Sequence, residues 1–208
     1  MPERPPATQS SLNGSQVKFD AETSRLLDVA RAEFIAHGIR RASVSDIARR
    51  AGVSRPTLFR RCGDKNDIVT AVAIRDLVEF FAAAKVSVKS IDSLEDKLIE
   101  VFALGMCQAR EHPMIKALIE FDEPSLSQNM WEANSTSYRM MISTIASLVD
   151  SEHHHPPEAV EQALEISLRL TATLIASPMA TLPTETDDQS REFARRYIVA
   201  ILHAALRP

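Results

Sequence analysis

The segment from Ser43 to Lys65 constrains the fold of this chain more than any other part of the sequence. Two short stretches with apolar residues at helical spacing lie on either side of a turn that contains Gly52. The second stretch begins with Ser54, a residue type that caps helices, and carries Pro56 in its first turn, where proline is tolerated. Two short helices around a tight turn, with cations on the second, indicate a helix-turn-helix that places a helix in the major groove of DNA.

Local charge separates this part of the chain from the rest. The formal net charge of the 208 residues is −4, yet residues 38–65 hold eight Lys or Arg and two Asp, a local charge of +6. Because phosphate contacts depend on local charge, one basic patch in an acidic chain indicates a docking surface for nucleic acid. The alternative is a solvated charge cluster without a ligand, which the surrounding pattern disfavours.

Three small or apolar positions in the segment predict how its two helices pack. A small residue, Ala48, allows the second helix to cross closely, and Gly52 suits a turn whose backbone favours positive φ. Leu58, six residues later, is expected to fill the core between the helices. Together with the caps and the basic face, this spacing predicts a helix-turn-helix.

The rest of the chain reads as helices separated by Pro and polar residues. With five Gly, two Tyr and no sustained alternation of apolar residues, the composition favours helices over strands. We predict an all-α fold, with a disordered tail at residues 1–19, a three-helix DNA-binding domain at 20–66 and a C-terminal helical domain at 67–208. The predicted helices cover about residues 22–37, 44–51, 54–62, 64–86, 93–112, 114–121, 125–151, 157–177 and 187–206.

Several classes of protein are disfavoured by what the sequence lacks. It has no apolar run of membrane-spanning length and no secretory signal pattern, which predicts a cytoplasmic protein with no membrane partner. Cys62 and Cys107 lack metal-ligand spacing and are expected to be free thiols. We find no catalytic constellation, so we predict no enzyme activity, no cofactor and no metal site. The adjacent His153, His154 and His155 cannot all face one ion, and we interpret them as a solvated turn.

Residues 24–69 resemble the DNA-binding domain of the TetR family of transcriptional regulators. The motif is Ala-Gly-Val-Ser-x-x-Thr-Leu-aromatic followed by a Lys, here Ala51 to Phe59 and Lys65. The resemblance implies that the first turn of the third helix reads an operator and that Lys65 binds a phosphate. Two departures concern Phe59, where the family usually has a phosphate-binding Tyr, and Arg61-Cys62, where a His-aromatic pair is common. The predicted DNA-binding residues are Ser43, Arg55, Pro56, Thr57, Phe59, Arg60, Arg61 and Lys65.

The resemblance further implies that the C-terminal domain binds a ligand and forms a dimer. Large flexible or aromatic side chains on the middle helices are compatible with an adaptable apolar pocket, although any of them could equally be plain core. The candidate pocket residues are Phe102, Met106, Phe121, Trp131, Tyr138 and Met141. The last two helices carry broad apolar stripes, on which the candidate dimer residues are Leu164, Leu168, Thr171, Tyr197 and Ile201.

These features lead to one functional hypothesis and two alternatives. We predict a homodimeric transcriptional repressor that binds a palindromic double-stranded DNA operator and is released by a small apolar or amphipathic effector. A DNA-binding regulator of the same fold without an effector remains open. The third reading, a helical enzyme whose basic patch binds an anionic substrate, is disfavoured because catalytic residues are lacking.

Overall fold

The computed structural model describes residues 19–121, 136–152 and 154–207, although not the side chains at 118–121, 136, 137 and 176. The prediction of an all-α fold is confirmed, because the described residues form helices and no strands. The helices are α1 (Ala21–His37), α2 (Val44–Ala51), α3 (Arg55–Cys62), α4 (Lys65–Ser87), α5 (Leu94–Glu111), α6 (Pro113–Phe121), α7 (Thr136–Val149), α8 (Pro157–Ala176), α9 (Asp187–Phe193) and α10 (Val199–Ala205). No helix in this described part is both long and apolar enough to cross a membrane.

Two predicted segments fall wholly or partly outside the described residues. Of the predicted tail, only Phe19 is described, so the prediction of disorder there is untested. The long helix predicted at 125–151 is described only from Thr136 onward, as α7.

The chain divides into two compact units whose boundary lies inside α4. The first unit takes in the described residues up to Phe81 together with those of Lys116–Asp122, and the second takes in the remainder. This division differs from the domain boundary predicted after residue 66, because the N-terminal part of α4 packs with α1. Its Ile68 and Val72 are buried, and two ion pairs bind its charged face to the first helix.

Both ion pairs between α4 and α1 involve arginine. Arg75 Nη2 lies 2.5 Å from the Asp28 carboxylate while its Nη1 donates to the Ser24 carbonyl at 3.1 Å. Arg31 Nε donates to Asp76 at 3.1 Å. Such partly exposed pairs contribute about 0–1 kcal/mol each, so the buried apolar residues account for most of the attachment.

The core of the first unit follows from helical spacing. Apolar residues recur every three or four positions on α1 to α4, so each helix has one face that can be removed from water. Leu58 from α3 and Phe34 from α1 are both 0% exposed. The buried apolar side chains include Leu26, Leu27, Ala30, Phe34, Ile47, Ala48, Ala51, Leu58, Cys62, Ile68 and Val72.

In the second unit, α5 packs against α9 and α8, and α8 also packs against α7 and α10. The Phe102 and Phe193 rings stack with centroids 5.5 Å apart. Arg191 Nε donates to Glu100 at 2.8 Å, which joins α9 to α5. Arg110 holds the loop before α9 by donating to the Thr184 carbonyl at 2.8 Å, and it also pairs with Asp187.

The last helical stretch differs from the single helix predicted at 187–206. Residues Ala194–Ile198 form a π-helical segment between α9 and α10. A π segment contains one wider turn, and no residue type marks it in the sequence.

Candidate nucleic-acid interface

Caps at both ends fix the position of α2. Ser43 is the N-cap: its Oγ accepts the N–H of Asp46 at 3.0 Å, and its hydroxyl donates to the Asp46 carboxylate at 2.6 Å. The hydrogen bond from the Ser43 hydroxyl lowers the pKa of Asp46 most, and the hydrogen bond from the Arg49 guanidinium lowers it further. At the other end Gly52 has φ 69° and ψ 26°, the left-handed conformation that glycine adopts without strain. The prediction of positive φ at this turn is confirmed.

The crossing of α2 and α3 depends on the small and apolar residues that the sequence singled out. Ala48 of α2 is buried, and Leu58 of α3 is completely enclosed. Cys62, one turn after Leu58, is also buried. Burial raises the pKa of the Cys62 thiol to about 11, so it stays protonated at neutral pH and acts as an apolar side chain.

The outer surface of α3 carries most of the predicted DNA-binding residues. Since an α-helix turns about 100° per residue, the side opposite Leu58 and Cys62 presents Pro56, Thr57 and Arg60. Arg55 and Phe59 lie toward one edge of this surface and Arg61 toward the other. We call this set the α3 surface, and its residues are Arg55, Pro56, Thr57, Phe59, Arg60 and Arg61.

Half of the surface of Phe59, 50%, is exposed although its side chain is large and apolar. Thr57 is half-buried: its N–H donates to the capping hydroxyl of Ser54 at 3.3 Å, and the two hydroxyls lie 2.9 Å apart. The Ser54 cap therefore fixes the first turn of α3 and orients Thr57 within it.

The cations of the α3 surface differ in their partners. Within the described part of the chain, the side chains of Arg55 and Arg60 form no hydrogen bond and no ion pair. Arg61, by contrast, lies 3.3 Å from the Asp20 carboxylate at the start of α1. Lys65, predicted to meet a phosphate, donates from Nζ to the Arg40 carbonyl at 3.0 Å. Arg55 and Arg60 are thus immediately available to an anionic ligand, whereas Arg61 and Lys65 would have to exchange or share a partner.

A buried carboxylate that the sequence analysis missed lies behind α2. Glu33 of α1 is 4% exposed, and its Oε2 lies 2.7 Å from Arg50 Nε. His37 Nε2 is 3.6 Å from the other carboxylate oxygen. The surrounding cleft of about 360 Å³ is lined by Glu33, Ala36, His37, Arg41, Asp46, Arg49 and Arg50. Arg50 thus has a structural partner, because a buried carboxylate needs a cation nearby.

Asp20 is the second residue that the sequence analysis missed. An Asp three residues before Thr23, at the start of an apolar-periodic stretch, is a recognisable N-cap pattern. Its pairing with Arg61 depends on how α1 packs on α3 and has no local signal.

The candidate effector residues are found mainly in the core of the second unit. Phe102, Met106 and Tyr138 are buried, and Met141 is half-buried. The Arg169 guanidinium lies 5.7 Å from the centre of the Tyr138 ring, and burial raises the pKa of the Tyr138 phenol. The side chain of Phe121 and all of Trp131 lie outside the described residues.

The candidate dimer residues separate into one covered and four accessible positions. Leu164 is 5% exposed within its own chain, because this side of α8 packs inward, so it has little surface left for a second copy. The other four side chains, Leu168, Thr171, Tyr197 and Ile201, are half-buried. An apolar groove of about 410 Å³ runs between α8 and the last helical stretch and is lined by Leu170, Leu182, Phe193, Tyr197, Ala200, Ile201 and Ala204.

The histidines after α7 are bound to a carboxylate. Asp150 accepts the backbone N–H of His154 and that of His155, each at 3.1 Å. His153 lies outside the described residues. Among those that are described, no group of three potential ligands could hold a metal ion.

A capped α2, a left-handed turn at Gly52 and a cationic α3 anchored by Leu58 together define a helix-turn-helix DNA-binding domain. Residues 26–72 match the family model of the bacterial regulatory proteins of the tetR family. This match identifies residues 26–72 as a DNA-binding domain of the tetR family of bacterial regulatory proteins.

Relatives match part of the sequence, and solved structures match the fold. An uncharacterized HTH-type transcriptional regulator of Mycobacterium tuberculosis is 29% identical over 77 residues, which are 37% of this chain and 41% of that protein. The match therefore spans about two fifths of the relative's length. A TetR-family regulator from Streptomyces coelicolor has the same fold, with a TM-score of 0.66, 17% identity and coverage of 89% of this chain and 99% of that one. The TetR family repressor AlkX from Dietzia sp., implicated in biodegradation of n-alkanes, also has this fold. Its TM-score is 0.60 and its identity 18%, and the match covers 89% of this chain and 97% of that one.

Proposed function

We propose that this chain is a homodimeric transcriptional repressor that binds a palindromic operator and is released by an apolar or amphipathic effector. The observation that carries the DNA-binding part is the α3 surface, on which Arg55 and Arg60 are exposed and have no partner among the described residues. Arginine donates two parallel hydrogen bonds to guanine or to phosphate, and threonine can bond a base or offer its methyl group to thymine.

Two further predicted contacts, those of Ser43 and Lys65, are assigned to the DNA backbone. Ser43 lies at the N-terminus of α2, where backbone N–H groups and the helix dipole favour a phosphate. Lys65 is held near the surface by the Arg40 carbonyl, and an ammonium with three donors can add a phosphate oxygen to that bond. Phe59 has no hydroxyl, so it offers only apolar contact.

We expect Arg60→Ala and Thr57→Ala each to weaken operator binding by about 1–3 kcal/mol where a base contact is lost. The DNA upstream of the chain's own coding region is the first duplex to test, by fluorescence anisotropy at several salt concentrations. Arg139→Ala, which removes an exposed arginine of α7 outside the helix-turn-helix, is the matched control and is expected to bind as the wild type does. Wild-type binding that neither prefers this duplex over a random one nor weakens with salt would contradict the proposal.

Dimerisation is supported by the apolar groove beside the last helical stretch. A single short recognition helix reads few bases, and two-fold symmetry doubles the site that is read. The groove is lined almost entirely by apolar side chains, and Tyr197 and Ile201 leave part of their surface in it. A second copy of the chain placed on this groove would remove that apolar surface from water.

We expect Ile201→Asp to convert the dimer into a monomer, because a carboxylate without a partner is costly to bury in an apolar contact. Light scattering after size-exclusion chromatography measures the mass directly. Glu161→Gln, at an exposed position of α8, serves as the control and is expected to leave the mass unchanged. An Ile201→Asp protein that remains a dimer would place the interface elsewhere.

The last part of the proposal concerns the effector. AlkX, a repressor implicated in n-alkane biodegradation, is a precedent for the fold. If an effector binds the DNA-free protein more tightly than the DNA-bound protein, its binding lowers the affinity for DNA by the ratio of those two effector affinities. A thermal-shift screen of apolar and amphipathic compounds, followed by DNA binding with each hit, is the test.

A regulator without an effector is the second candidate, and the packing of the second unit favours it in one respect. Phe102 stacks on Phe193 at 5.5 Å and is buried with Met106, as ordinary core residues are. If the screen yields no compound that both raises the melting temperature and lowers DNA affinity, this second candidate is supported.

A further inference from the structure

The Asp20 carboxylate is a fixed negative charge at the start of α1. Its Oδ1 accepts the N–H of Thr23 at 2.9 Å, and its Oδ2 accepts the Thr23 hydroxyl at 3.0 Å. These two bonds, and to a smaller extent the charge of Arg61, lower the pKa of Asp20. The carboxylate is therefore ionised at neutral pH, and Thr23 prevents it from turning away although its side chain is 60% exposed.

Arg61 is the one cation of the α3 surface that this carboxylate contacts. Its Nη1 lies 3.3 Å from both Asp20 oxygens, a pair that joins residues 41 positions apart in the chain. The arginine side chain is 40% exposed. It is therefore open to solvent and to an incoming anion while it is paired.

We propose that Asp20 competes with DNA phosphate for Arg61 and thereby limits the affinity of the α3 surface for DNA of any sequence. The inference rests on the proposed DNA-binding function. A carboxylate and a phosphate are both anionic acceptors for a guanidinium. Because Asp20 is fixed and the arginine side chain is flexible, Arg61 is the group that moves. Each phosphate contact of Arg61 then costs the contact with Asp20 and leaves a carboxylate facing the DNA backbone.

The exchange has a consequence for the dependence on salt. A cation that neutralises a phosphate releases a condensed counterion from DNA, which makes the affinity fall as salt rises. When Arg61 leaves Asp20, the carboxylate can attract a cation from solution, which offsets this release. The wild type should therefore lose less affinity with salt than a protein in which position 20 is neutral.

Asp20→Asn tests the proposal, because asparagine caps a helix as well as aspartate does but has no charge. With a random-sequence duplex at low salt, we expect binding about two- to fivefold tighter than that of the wild type. We also expect a slope of log K against log salt that is steeper by up to about 0.9. An unchanged melting temperature establishes that α1 is still capped.

Two further variants separate this mechanism from a general effect of charge. Glu22→Gln removes a neighbouring acid that pairs with Arg25 at 2.8 Å, and we expect a smaller change in affinity. On an Arg61→Ala background, Asp20→Asn is expected to have no effect, since the group for which the two anions compete is gone. Equal tightening with and without Arg61 would overturn the proposal.

The remaining outcomes distinguish this inference from the proposed function. Salt-dependent DNA binding by the wild type that Asp20→Asn does not tighten would overturn the inference and leave the DNA-binding function intact. A wild-type protein that binds no DNA even at low salt would overturn both.

Discussion

Leu58→Ala is expected to lower the free energy of unfolding of the helix-turn-helix unit by about 2–5 kcal/mol. Leu58 of α3 is 0% exposed, so alanine leaves a cavity beside the recognition helix. Such a loss is large against the 5–15 kcal/mol that is typical of a whole domain, so DNA binding should fall with it. Urea unfolding followed by circular dichroism measures the effect.

Val78→Ala is the matched control for Leu58→Ala. Val78 lies on α4 with 45% of its surface exposed, and exposed substitutions usually stay within about 0.5 kcal/mol. A Leu58→Ala protein that unfolds at the same urea concentration as the wild type would contradict the burial of this side chain.

Gly63→Ala is expected to destabilise the same unit by about 2–5 kcal/mol, since it adds backbone strain to a steric clash. Gly63 has φ 80° and ψ −155°, a backbone conformation that residues with a Cβ rarely adopt. An added Cβ would lie 2.7 Å from both Cβ and Cγ of Asp67. That aspartate cannot easily move, because its carboxylate accepts the Asp64 N–H at 2.9 Å at the start of α4.

Two other glycines allow the two causes to be separated. Gly52→Ala keeps the strain of φ 69° but meets no atom within 4 Å, so the expected loss is about 1–2 kcal/mol. Gly105 lies inside α5 with open space around it, and alanine there should stabilise the protein by about 0.5–1 kcal/mol. Thermal unfolding of the three variants should rank Gly63→Ala lowest and Gly105→Ala highest. A Gly63→Ala protein as stable as the Gly52→Ala protein would exclude the clash.

The helix-turn-helix was largely predictable because its boundaries are coded locally. Ser43 and Ser54 cap the two helices, and Gly52 ends the first of them in the left-handed conformation. Each of these signals involves residues within one turn of each other. Leu58 was equally predictable, since an apolar residue opposite a polar helical face has only one side on which to be buried.

The partners of the charged residues could not be predicted, because each depends on tertiary packing. Asp20 and Arg61 are far apart in sequence, and so are Glu33 and Arg50. The apolar stripe of α8 was likewise predictable, but the surface that packs against it was not. Periodicity identifies the face that leaves water, yet it does not say whether the same chain or a second copy covers it, which is why Leu164 was assigned to the dimer.

The π segment at Ala194–Ile198 determines which way the end of the chain faces. Residues four apart drift steadily around an α-helix, which turns about 100° per residue. One wider turn cancels that drift, so that Phe193, Tyr197 and Ile201 all reach the same groove. Deleting a single residue there would rotate everything beyond it by about 100° and aim Ile201 elsewhere. Substitutions along this stretch change one side chain at a time, whereas a change of length redirects all the side chains that follow. The number of residues in the stretch therefore matters for the groove independently of which residues they are.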